Sequence, residues 1–213
     1  MRIIIAGGHG KIALRLAARL REGAVGLVRN PDHVADVEAT GAQAVVCDLE
    51  TASVEQVADI LRGADAVVFA AGAGPGSGAA RKDTVDRGAS VLMADAAERA
   101  GVRRFIQISS MGAGKPPAGG DEVWAAYIAA KTAAEDDLRR RDLAWTIVRP
   151  GRLTDEPGTG LVRMEPEVPP GAVPRDDVAA VIMALLDNPG TARRTYELVS
   201  GDTPVIDLVA TNE

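Results

Sequence analysis

The apolar run Ile3-Ile4-Ile5-Ala6 leads directly into Gly7-Gly8-His9-Gly10, and apolar residues then recur at helical spacing through Ile12, Ala13, Leu16, Ala17 and Leu20. An unbroken apolar run is how a strand buried on both faces reads, and such strands belong to parallel sheets covered by helices on either side. The same alternation continues along the chain. It predicts strands over 24–28, 44–47, 66–71, 105–108 and 145–148, a short helix opened by Asn30-Pro31-Asp32, and helices over 54–61, 85–100 and 122–141. Residues 112–121 are rich in Gly and Pro and predict a loop, and 151–173 predicts irregular chain with a short hairpin. Val178, Val181, Ile182, Leu185 and Leu186 mark a last helix stopped at Asn188-Pro189-Gly190, and 196–199 predicts a final edge strand. Strands joined by crossover helices form a doubly wound parallel sheet, so the fold class is α/β. No repeat or linker divides the 213 residues, which suits one domain over 1–213, with 151–213 supplying the substrate-side loops and last helix. Ligands in such sheets bind beyond the carboxyl ends of the strands, where strand order reverses.

Composition removes several function classes. The net charge is −6 and the chain has only two Trp, two Tyr and two Phe, which argues against a nucleic-acid-binding surface. Cys47 has no disulfide partner, and with His9 and His33 as the only histidines a His/Cys zinc site lacks ligands. No apolar stretch approaches the roughly 18 residues of a membrane span, and the apolar start is too short for a signal-peptide core. A cytoplasmic protein without a membrane or nucleic-acid partner is expected. Neither histidine follows a nucleophile elbow, so a Ser-His-Asp hydrolase is set aside.

Gly7, Gly10 and Ala13 fit a G-x-x-G-x-x-[GA] spacing between the first strand and the first helix. Small residues there let the backbone turn tightly and approach a pyrophosphate, whose charge is stabilised by the helix N-terminus. Gly7, Gly8, His9, Gly10, Lys11 and Ile12 are therefore candidate cofactor contacts. The end of the second strand carries Arg29-Asn30 where an NAD site carries an acid, so the expected dinucleotide is NADP(H) rather than NAD(H). Asp48-Leu49 after the third strand is a candidate adenine contact, and the small Ala70-Ala71-Gly72 after the fourth leaves room for a nucleotide.

Tyr127 and Lys131 lie four residues apart and share a helix face. A tyrosine titrates near 10 in water, and a neighbouring lysine cation favours its phenolate, which suits proton transfer. Ser109-Ser110 ends the fifth strand, at the carboxyl edge where a hydroxyl can hold a substrate oxygen.

These blocks, together with LVRNP, VVCDLE, ADAVVFAAGAG, WTIVRPGRLTDEPGTG and VPRDDVAAVI, resemble the short-chain dehydrogenase/reductase superfamily across nearly the whole chain. The closest likeness is to its atypical branch of NAD(P)-binding proteins, including epimerase/dehydratase and NmrA-like members. The resemblance implies a Rossmann-type fold, with Tyr127 as general acid/base and Lys131 binding the nicotinamide ribose. Ser110 aligns with the substrate-orienting serine, with Ser109 as its stand-in and a cofactor contact. Pro150, Gly151 and Leu153 match the segment that passes the carboxamide. Asp86 occupies the stretch where the superfamily places its fourth active-site member, an asparagine, and so departs from the usual proton relay. About 40 residues follow Pro174, too few for a large sugar-recognising domain, so a small substrate is expected. The implied activity is NADP(H)-dependent hydride transfer to a small carbonyl, quinone or flavin-like acceptor. Two alternatives are a non-catalytic NADP(H)-sensing regulator and an epimerase or isomerase. The superfamily often forms dimers, so the resemblance makes a homodimer one candidate assembly and leaves the oligomeric state open.

Overall fold

A computed structural model describes residues 1–74, 76–115 and 122–208. Eleven strands and seven helices are found among them: β1 Ile3–Ala6, α1 Lys11–Leu20, β2 Ala24–Val28, α2 Val34–Glu38, β3 Gln43–Val46, α3 Val54–Leu61, β4 Ala66–Phe69, α4 Ala79–Arg81, α5 Ala89–Ala100, β5 Arg104–Ile108, α6 Glu122–Arg139, β6 Ala144–Pro150, β7 Arg152–Thr154, β8 Leu161–Glu165, β9 Ala172–Pro174, α7 Arg175–Leu186, β10 Arg194–Ser200 and β11 Thr203–Pro204. Nine strands form one sheet in the order β11-β8-β10-β6-β5-β4-β1-β2-β3, and β7 pairs with β9 separately. From β10 to β3 every pairing is parallel, as the crossover helices require.

Strand parity divides the core. Ile3 and Ile5 point to one face, where they meet Leu16 of α1, Val37 of α2 and Ile182 of α7. Ile4 and Ala6 point to the other, where Leu61 of α3, Met93 of α5 and Leu138 of α6 cover them. The apolar run of β1 is thus buried on both sides, as its sequence requires. Strand order reverses at β1, which lies between β2 and β4.

The structure corrects the reading of the last third of the chain. Residues 194–200 form β10, an interior strand between β6 and β8, and not an edge. The 151–173 segment makes no local hairpin. Its strand β8 runs antiparallel to β10, while β7 and β9 pair in parallel. The sheet is therefore parallel with an antiparallel margin of β8 and β11. Each of these pairings joins distant segments, and strand periodicity carries no signal of partner. The helix expected from residue 85 begins earlier, because α4 runs through a π-helical segment, Lys82–Gly88, directly into α5. Of the loop expected over 112–121, residues 116–121 lie outside the described residues.

Candidate active site

A cleft of about 640 Å³ opens at the carboxyl ends of β1 to β4, at the point where strand order reverses. Its floor is the turn after β1. Gly7 has φ +76°, and a Cβ there would stand 2.6 Å from the Cα of Ala71, so only glycine lets the two strand ends approach so closely. Gly10 then caps α1 without a side-chain hydrogen bond, and no acidic residue occupies the first turn of that helix. The contrast with α3 is informative, because Ser53 and Gln56 close a full capping box there. The uncapped N–H groups of α1 face the cleft with a partial positive charge, which suits a pyrophosphate. The donor set and the glycine cradle fit a dinucleotide.

Gly7, His9, Gly10, Lys11, Arg29, Asn30, Asp48, Leu49, Ala70, Ala71 and Gly72 all line this cleft. Two other candidates of the same loop do not. The Gly8 N–H instead donates to Leu27 O at 2.8 Å, and Ile12 packs against the core. Several cleft residues were not legible in the sequence. Glu50 accepts hydrogen bonds from Arg29 (2.9 Å), Arg81 (2.8 Å) and Thr84 (2.7 Å), and these bonds hold its carboxyl below the usual range. The rings of His9 and His33 stack at 3.7 Å, and His9 Nε2 lies 2.7 Å from Asp36. Cys47 also lines the cleft, with burial and then Asp48 pushing its thiol up. Lys11 is tied to Asp155, which also accepts from Arg175 (2.9 Å) and so joins the phosphate loop to the segment after β7.

The acid–base candidates gather beyond the Gly72–Gly74 wall of the cleft. Tyr127 is half-buried on α6. Lys131 Nζ is 5.8 Å from the centre of its ring and Lys82 Nζ is 5.3 Å from it. Lys131 is 4% exposed and Asp86 1%, and their charged atoms are 3.1 Å apart. The pair is a charge contact rather than an aligned hydrogen bond. The second oxygen of Asp86 accepts the Ala73 N–H at 3.2 Å, and Lys131 donates to Ile108 O at 3.4 Å. A Cβ on Gly72 would reach within 3.1 Å of Asp86 Oδ1, so the glycine leaves the carboxylate its place. The π-helical turn carries both Lys82 and Asp86, in keeping with the occurrence of such turns at functional sites.

The serine pair separates. The Ser109 hydroxyl donates to the fully buried Glu135 at 2.6 Å, and Glu135 also accepts from Arg149 and Arg139. The bond from Arg149 raises that guanidinium above its ordinary value. Ser110 is half-buried, and its only hydrogen bond among the described residues is a 3.4 Å contact to Met111 O. It is therefore the serine left available for a ligand. Pro150 O accepts the Met111 N–H at 3.0 Å, placing the end of β6 beside the serine loop, and the Gly151 N–H donates to Leu198 O at 2.9 Å. Leu153 packs on the core.

Comparison with known proteins agrees with a dinucleotide-binding fold. The family described as NAD(P)H-binding matches residues 7–189. The uncharacterized sugar epimerase YhfK of Bacillus subtilis is 35% identical over 98% of this chain and 99% of its own. A solved structure from Bacillus halodurans, assigned to the NAD-dependent epimerases/dehydratases, is 36% identical with a TM-score of 0.91 over the full length of both chains. The oxidoreductase ylbE of Lactococcus lactis is 28% identical with a TM-score of 0.86, covering 99% of this chain and 96% of that one.

Proposed function

Since the chain belongs to the NAD(P)H-binding family of oxidoreductases and epimerases, we propose that it is an NADP(H)-dependent reductase of a small carbonyl, quinone or flavin-like acceptor. The observation that carries this reading is the Tyr127 ring set against the buried Lys131, just past the cleft wall. The nicotinamide, when bound, supplies or takes the hydride. Tyr127 gives the acceptor oxygen its proton, and Ser110 orients that oxygen with its weakly engaged hydroxyl. Lys131, fixed between Asp86 and Ile108 O, holds the ribose hydroxyls and keeps positive charge beside the tyrosine.

Asp86 takes a specific part in this reading. An asparagine at its place could hold a backbone group, whereas the aspartate also neutralises Lys131 and accepts the Ala73 N–H. The departure from the superfamily pattern thus becomes a positioning device for the lysine. It gives no reason to prefer a non-catalytic sensor. At the other end of the cleft, Arg29 and Arg81 converge on Glu50, where two guanidinium groups suit a ribose 2′-phosphate.

The test is NADPH oxidation by the purified protein over a panel of aldehydes, quinones and flavins, with Tyr127→Phe beside it. Loss of about 10²–10⁴-fold in kcat is expected for a general acid, with folding unchanged. Full turnover in the variant on a substrate used by the wild type would remove Tyr127 from the chemistry.

A further inference from the structure

Lys82 is a second active-site lysine, one that the proton chemistry leaves without a task. It opens the π-helical turn, is 8% exposed, and donates to Gly74 O at 2.9 Å. An ammonium carries three donors, and this carbonyl occupies one of them. The Tyr127 ring, 5.3 Å away, attracts the charge without neutralising it. None of the carboxylates among the described residues stands within 4 Å of Lys82. Asp86, four residues on, is engaged by Lys131, the adjacent Asp83 by Arg87, and Glu50 by Arg29 and Arg81.

The charge count follows. Lys131 and Asp86 cancel, so Lys82 leaves one positive charge in excess at a site largely closed to water. A buried charge is costly unless an opposite charge meets it. Gly74, whose carbonyl Lys82 bonds, belongs to the cleft wall, and the ring of the acid candidate Tyr127 is 5.3 Å from the same ammonium. An anion reaching Lys82 would therefore arrive with the ligand.

We propose that Lys82 is a substrate-binding residue that pairs with a carboxylate of the acceptor, so that the preferred substrates are carbonyl compounds bearing an acid group. This rests on the reductase reading above and narrows its substrate class. A single ammonium with spare donors matches a singly charged carboxylate. A phosphoryl group would call for a fork of donors such as two arginines provide.

The experiment pairs 4-carboxybenzaldehyde with methyl 4-formylbenzoate, which present the same reacting aldehyde with and without the charge. NADPH oxidation is followed for wild type, Lys82→Met and Lys82→Gln, the last retaining a donor for Gly74 O. In parallel, calorimetry measures terephthalate binding to the NADP⁺-loaded proteins. The wild type should prefer the acid over the ester by about ten-fold or more in kcat/KM, the scale of a charged hydrogen bond. Both variants should lose that preference through KM, with turnover of the ester within about two-fold and terephthalate affinity down by about ten-fold or more. An equal fall on acid and ester, expressed in kcat, would show Lys82 acting on Tyr127 and overturn the proposal. So would terephthalate binding that is absent in the wild type or unchanged in the folded variants. If neither aldehyde is reduced, the acceptor panel decides the reductase reading by itself and the binding measurements still decide the role of Lys82.

Discussion

The two ends of the site hold charge in opposite ways. At the Arg29 end, the ions are solvated: Arg29 and Arg81 share Glu50 and Lys11 meets Asp155, all with substantial exposure. At the Tyr127 end the ions are dry. Lys131 is paired with Asp86, Glu135 carries Ser109 and two arginines, and Lys82 has no carboxylate within 4 Å among the described residues. Solvated pairs contribute little to stability and exchange partners readily. Dry pairs are costly to break and so keep a fixed geometry. The first arrangement suits a cofactor that must enter and leave, and the second suits groups that must stay in place for chemistry.

Breaking a dry pair should give the largest effect. Glu135→Ala strands Arg149 and the Ser109 hydroxyl inside the protein, and a loss of about 3–5 kcal/mol in urea unfolding is expected. Asp86→Ala should follow closely, because it leaves Lys131 without its counter-charge and the Ala73 N–H without an acceptor. Asp86→Asn retains an acceptor for that N–H and should cost less than Asp86→Ala. Equal losses in the two Asp86 variants would mean that the Ala73 bond contributes nothing.

At the solvated end the expected effects are on affinity. Arg29→Ala and Arg81→Ala should each weaken NADP⁺ binding by about 1.5–3 kcal/mol if each guanidinium meets the 2′-phosphate, and should leave NAD⁺ binding nearly unchanged. Glu50→Gln frees both arginines from a competing carboxylate and should move NADP⁺ affinity the other way. Titrations in low and moderate salt would sharpen the comparison, because contacts exposed to water weaken as ionic strength rises. If NAD⁺ and NADP⁺ lose equally in Arg29→Ala, the 2′-phosphate assignment fails.

How far the sequence speaks follows the same division. The β1 turn announces itself through adjacent signals, an apolar run, a glycine triplet and a helical stripe, and all three arise from local backbone demands. Arg29 was visible as a basic strand end, and Tyr127 and Lys131 as neighbours on one helix face. Glu50, Arg81 and Thr84 were not, since they come together from the loop after β3 and the helical segment after β4, which only the parallel sheet brings side by side. Lys82 was hidden for a similar reason: its chemistry depends on which carboxylates other residues have already engaged, and spacing along a chain does not record that. In sequence Ser110 ranks ahead of Ser109 only through the family resemblance, and the physical difference between them is the buried Glu135, which takes the Ser109 hydroxyl. The β8–β10 pairing is the clearest gap in the fold, because an antiparallel partner more than 30 residues away has no local signature.

The smallest expected effect tests the solvated end most directly. Hydrogen bonds from Arg81 and Thr84 hold the Glu50 carboxyl below the ordinary glutamate value of 4.5, against a weaker opposing push from burial. A carboxylate lowered on folding favours the folded state when ionised. Its contribution is therefore fully present above pH 4.5 and is lost as the pH falls through the lowered folded value. The wild type should be more stable than Glu50→Gln at pH 7 by no more than about 1 kcal/mol, as befits an exposed pair. That gap should narrow as the pH falls below 4.5 and close once the folded carboxyl is itself protonated. Thermal unfolding of both proteins across this range reads it directly. A gap that stays constant with pH would mean that Glu50 acts through shape or neutral hydrogen bonding, and that the arginines beside it are held by something other than its charge.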